Sequence, residues 1–130
     1  MNDPSRIRVL IADGHPAVRE GLSALLGRQP DLIIVGAATN GRETIDLYRS
    51  ELPDVLLLDI GMLAIGGITT LRRIRSEFPQ ARIIATTVIE EEYCFRALQA
   101  GARACLLKDA PRAVWYSTVR SVAVRNSEQE

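Results

Sequence analysis

Apolar and polar positions along the chain follow two alternating rhythms. Arg6–Ala12, Leu32–Ala38, Val55–Leu58, Ile83–Thr87 and Ala104–Leu107 are short runs that are apolar almost throughout. Between them, apolar residues recur every three or four positions. Val18, Leu22, Leu25 and Leu26 do so within 17–27, and Ile45, Leu47 and Tyr48 within 41–52. Leu71, Ile74 and Phe78 follow over 71–78, a further segment spans 90–100, and Trp115, Val119 and Val122 follow Pro111. The first rhythm predicts strands covered on both faces, the second amphipathic helices. Gly101 stands where a C-cap glycine would stop the fourth helix, and Pro111 is tolerated in the first turn of the fifth.

Strands alternating with helices in this way predict an α/β fold with a parallel sheet. The expected architecture is a (βα)5 flavodoxin-like domain, its five strands in the order 2-1-3-4-5 with helices on both faces. That domain is expected over 1–125, with the polar 126–130 as a tail or the start of a linker.

Composition narrows the classes. A length of 130 residues with 47% hydrophobic residues fits one globular domain, which would bury roughly two-thirds of its unfolded surface. Sixteen basic residues balance sixteen acidic ones, and zero net charge argues against the chain itself gripping nucleic acid. No apolar stretch approaches the ~20 residues of a membrane span, and the run after Arg6 is too short for a signal sequence; a cytoplasmic location is expected. Cys94 and Cys105 form no CxxC and have no His nearby, so they are expected to be reduced, packed thiols. Fifteen of the sixteen basic residues are Arg, leaving Lys108 as the single Lys. Arg and Lys are not interchangeable where a compact point charge is needed.

Open α/β sheets bind ligands at the carboxyl ends of their strands. Those ends carry Asp13, Asp59, Thr86 and Lys108, and with the first and third strands adjacent the two carboxylates would approach each other. Two carboxylates can hold a hard cation such as Mg²⁺, an ammonium and a hydroxyl can meet phosphoryl oxygens, and an Asp can itself be phosphorylated.

These residues, with Ile7-Arg-Val-Leu-Ile-Ala-Asp-Gly-His-Pro16, Pro53-Asp-Val-Leu-Leu-Leu-Asp59 and Arg96–Ala110, resemble the receiver domain of two-component response regulators, NarL/FixJ (LuxR) type, from Ile7 to about Ala123. The resemblance implies a regulator rather than an enzyme. It implies Asp59 as phosphoacceptor, with Thr86 (or Thr87) and Lys108 on the phosphoryl group. Asp13, Asp59 and the Gly61 carbonyl would hold Mg²⁺. A sensor histidine kinase would be the partner, with a homodimer as the working form and DNA contacted only through an output domain outside this chain.

Departures gather at the same place. The family usually has two adjacent acids after the first strand; here they are Asp13 and Gly14, which should weaken the metal site. Leu63 replaces a customary Pro, so the loop over 62–67 should be more mobile or differently shaped. Cys105 replaces an aromatic that moves on phosphorylation. His15 is read as structural, Glu90-Glu-Glu92 as a solvated helix start, and Tyr116 with Val114 as a candidate dimer surface. Two versions therefore stand: a phosphorylated receiver, and an atypical one that dimerises constitutively or under control of a ligand. A flavin-binding flavodoxin-like protein is the alternative of another class, although Asp13–Pro16 offers no Ser/Thr-rich phosphate loop. A P-loop is excluded because no GK[ST] follows Gly61–Gly67. A haloacid-dehalogenase-type phosphatase is excluded because Gly61 stands where its second Asp belongs.

Overall fold

The computed structural model describes residues 5–62, 66–88 and 91–124, with backbone alone at 91 and 92. Five strands, β1 (Ile7–Ala12), β2 (Leu32–Ala38), β3 (Val55–Asp59), β4 (Ile83–Thr87) and β5 (Ala104–Leu107), alternate with five helices. These are α1 (Pro16–Gly27), α2 (Gly41–Glu51), α3 (Gly67–Glu77), α4 (Glu91–Gln99) and α5 (Arg112–Ala123). All strands pair in parallel, in the expected order β2-β1-β3-β4-β5. One irregularity interrupts the sheet: the β1–β2 register shifts between Val9 and Leu10, so that Leu10 faces Gly36.

Side-chain alternation along the strands divides the interior into two cores. Leu10, Leu56, Leu58 and Ile83 meet Ile45 and Tyr48 of α2, Leu71 and Ile74 of α3, and Ala97 of α4. On the other face Val9, Ile11, Leu57 and Ile84 meet Leu22 and Leu26 of α1 and Trp115, Val119 and Val122 of α5. The stripes expected of α1, α2, α3 and α5 thus turn inward, with Val18, Leu25, Leu47 and Phe78 only partly buried. Strand β3 lies between β1 and β4 and is buried at all five positions, which explains its unbroken apolar run.

Helix ends follow local chemistry. Asn40 caps α2 by accepting the Glu43 amide at 2.9 Å, while the Glu43 carboxylate returns to the Thr39 amide at 2.8 Å. Gly101, with φ +115, ends α4 as expected. The Gly101 amide donates to Leu98 O and the Ala102 amide to Ala97 O, the paired bonds that a left-handed glycine permits.

Four expectations change. Helix α3 starts at Gly67, four residues before the periodic segment, because its entry is set by contact with β3. A Cβ on Gly67 would stand 2.2 Å from the Ile60 Cα, so only glycine allows the helix to begin there. Tyr116 of the candidate dimer surface is also tied inward, its hydroxyl donating to Leu25 O at 2.9 Å and joining α5 to α1, while Val114 is exposed. Pro111 caps α5 rather than lying inside its first turn. The fourth is the state of the cysteines. Cys94 of α4 and Cys105 of β5 form a disulfide, with Cα atoms 5.5 Å apart. The chain reverses at Gly101, and a helix advances ~1.5 Å per residue against ~3.3 Å in a strand. The stretches on either side of the reversal therefore travel similar lengths and bring the thiols level. The expectations for Leu63, Glu90 and 126–130 fall outside the described residues.

Candidate functional site: a carboxylate–lysine rim

The sheet order places β1, β3, β4 and β5 side by side, so their carboxyl ends form one rim. Ala12 is in register with Leu58, which sets Asp13 beside Asp59, and Asp59 is in register with Thr86. The Lys108 amide donates to Thr87 O at 2.9 Å, which carries the chain past β5 onto the same edge.

The side chains converge. The Lys108 ammonium lies 2.7 Å from Asp13 Oδ2 and 3.2 Å from Asp59 Oδ2. Asp13 and Asp59 are almost wholly buried, at 1% and 3% exposure. Asp13 Oδ1 accepts the His15 amide at 2.8 Å and lies 3.0 Å from His15 Nδ1. Asp59 Oδ1 accepts the Gly61 amide at 2.9 Å. Asp13 Oδ2 is a buried oxygen with no well-oriented hydrogen bond and lies against the ammonium. Arg19 fixes the backbone beneath by donating to Asp13 O at 2.8 Å.

Burying charges is costly unless they are paired, and two carboxylates share one ammonium. Two carboxyl groups to one ammonium leave carboxyl oxygens on the rim that could meet a further cation. Ligand atoms of Asp13, His15 and Asp59 all lie within 4.8 Å of one another. The oxygen-rich donor set fits a hard divalent cation. Sequence reasoning kept His15 apart as a helix-start residue; its place two residues after Asp13 was the available signal.

Thr86 and Thr87, between which spacing alone does not choose, occupy different places. Thr86 is the register partner of Asp59 and so shares its face of the sheet, at 2% exposure. Thr87 instead lines a cavity of about 310 Å³ with His15, Asp59, Gly61, Tyr93 and Lys108. Tyr93 in this wall had no signature of its own in the sequence, although the start of the fourth helix was expected at the rim near Thr86.

Gly14 is exposed, and a Cβ added there would meet only Thr39 O, at 3.5 Å. The backbone would thus accept an acid at this position, and its absence is a matter of side chain alone. Cys105, in place of the expected aromatic, is tied to α4.

The response regulator receiver domain model matches residues 9–120. The nitrate/nitrite response regulator protein NarL of Escherichia coli is 37% identical over 110 residues, which cover 84% of this chain and 51% of that protein. A transcriptional regulatory protein of Bacillus subtilis, YxjL, is 36% identical over 119 residues, covering 91% of this chain and 55% of the relative. The chain thus spans about half the length of these curated relatives. Among solved structures, the signal receiver domain of the putative response regulator NarL from Mycobacterium tuberculosis superposes with a TM-score of 0.84 at 33% identity, covering 94% of this chain and all of that one. A LuxR-family two-component response regulator from Aurantimonas gives 0.87 at 31% identity, covering 92% and 86%. The flavodoxin-like alternative is not favoured by these likenesses. Among the described residues, no helix is long and apolar enough to cross a membrane. The matched sequence, the strand order and the carboxylate–lysine rim agree: the chain belongs to the response regulator receiver-domain family, LuxR/NarL type, and is a signal receiver of two-component regulation.

Proposed function

We propose that this receiver takes its signal as a phosphoryl group on Asp59, delivered by a sensor histidine kinase in the cytoplasm. The observation that carries the reading is the single lysine, whose ammonium bridges Asp13 and Asp59 on a buried rim. In the transfer, an Asp59 carboxylate oxygen attacks phosphorus, an acyl–phosphate bond forms, and the bond to the donor nitrogen or oxygen breaks. Lys108, already at Asp59, follows the charge onto the phosphoryl oxygens, and the hydroxyl of Thr86 or of Thr87 donates to one of them, Thr87 being the one that lines the cavity beside Asp59 and Lys108. Asp13, Asp59 and the Gly61 carbonyl would hold Mg²⁺, which when bound neutralises phosphoryl oxygens. The phosphorylated domain would dimerise and pass its state to a DNA-binding output region that lies outside residues 1–130, with 1–125 as the receiver and 126–130 as tail or linker.

Gly14 and the cavity above Asp59 favour a second reading, in which the domain controls dimerisation without phosphorylation, or under control of a small ligand. Intact-mass measurement with Mg²⁺ and acetyl phosphate separates the two. The first reading expects one phosphoryl mass on the wild type, none on Asp59→Asn, and faster uptake by Gly14→Asp, which restores a second acid. If the wild type gains nothing while Gly14→Asp does, the second reading holds.

A further inference from the structure

We propose that Cys94 and Cys105 form a reversible thiol–disulfide site, through which a small-thiol pool fixes or releases helix α4. Three observations converge on it. The two cysteines lie on facing elements and are bridged across α4 and β5. Both are partly exposed, and β5 is the last strand of the sheet, so a small thiol or disulfide can reach them from solvent.

The third observation concerns what else holds α4. Of its described side chains only Ala97 is fully buried, whereas Tyr93, Phe95 and Leu98 are exposed at 41%, 62% and 47%. A helix that buries one methyl group has little apolar area with which to resist opening. The bonds at Gly101 secure its carboxyl end, and the disulfide secures its first half. Opening the bridge would therefore free the half of α4 that carries Tyr93, which walls the cavity over Asp59 and Lys108.

The oxidant is a small disulfide of the glutathione class. One cysteine thiolate attacks it, forming a mixed disulfide and expelling one thiolate. The second cysteine thiolate then attacks the bridged protein sulfur, closing Cys94–Cys105 and expelling the other. The cysteines lose two electrons, the small disulfide gains them, and the two thiol protons end on the two released thiols. Reduced glutathione drives the same steps backwards.

The test needs no phosphorylation, so its outcome is independent of the role proposed for Asp59. The chain is equilibrated in glutathione buffers spanning reducing to oxidising ratios, then alkylated and weighed, with amide hydrogen exchange followed across 91–99. Two alkylations should give way to none within that span, and amides of α4 should exchange about tenfold more slowly in the bridged form. Cys94→Ser and Cys105→Ser should exchange at the rate of the reduced wild type in every buffer. The idea fails if the wild type carries two alkylations, or none, at every ratio. It fails equally if α4 exchanges at one rate in both states, or if the serine variants still respond to the buffer. The comparison of reduced and oxidised wild type stands even if a variant does not fold.

Discussion

Two glycines at the rim, Gly14 and Gly67, have opposite physical characters. At Gly14 a side chain has room, so its replacement is a chemical change. At Gly67 a Cβ would also lie 2.5 Å from Asp59 O, within backbone that cannot yield. Gly67→Ala should cost about 3 kcal/mol or more, as overpacking against a rigid neighbour does, measured by urea denaturation. The loss would fall on the start of α3 and the end of β3 together, the segment that presents Asp59. The charged members of the rim were legible because strand ends are marked by the polar residue that follows an apolar run. The requirement for glycine at position 67 was not legible, because it arises from a contact between elements.

At the scale of elements, the long-range ties are side chains reaching back across the chain. Arg120 of α5 makes two bonds to Asp31, at 2.8 and 3.0 Å, and one to Gln29, at 2.7 Å, joining the last helix to the turn before β2. The guanidinium beside Asp31 holds its carboxyl below the usual carboxylate value. A carboxyl depressed in the folded state contributes stability above its unfolded value, near 4, and loses it as pH falls through the lower folded value. Asp31→Asn should therefore be less stable than wild type at pH 7, and the two melting temperatures should converge under strong acid. Both groups are about two-fifths exposed, so the separation should be small and should shrink with added salt. Ties of this kind, like the Tyr116 hydroxyl on Leu25 and the Cys94–Cys105 bridge, have no period in the sequence. Their partners are set by which helices lie side by side, whereas each strand and buried stripe is written locally. The start of α3 was missed for the same reason: Gly66, Gly67, Thr69 and Thr70 are weak helix formers, and packing overrides them.

For the molecule as a whole, the sheet acts as a partition. Ile74 belongs to the core beneath α2, α3 and α4, and Val119 to the core beneath α1 and α5. Ile74→Val should cost about 0.5–1.5 kcal/mol and Val119→Ala, which removes two methyl groups, about 1–3 kcal/mol. Combined, their costs should sum to within about 0.5 kcal/mol, since the two side chains share no partner across the sheet. Trp115, the only Trp, is 2% exposed and donates its indole N–H to Ala110 O, so its fluorescence reports this unfolding directly. A coupling well beyond that margin would mean that the faces communicate through the strands.

Lys108 gives the molecule a built-in reporter. An amine-directed reagent finds one side-chain target in the whole sequence, and that amine is 11% exposed and clasped by two carboxylates. Its acylation rate, read against that of the α-amino group, would measure how often the rim opens. Anything that draws the ammonium away from Asp13 or closes the cavity mouth would register as a change in the mass gained per minute, with no label introduced and no residue replaced.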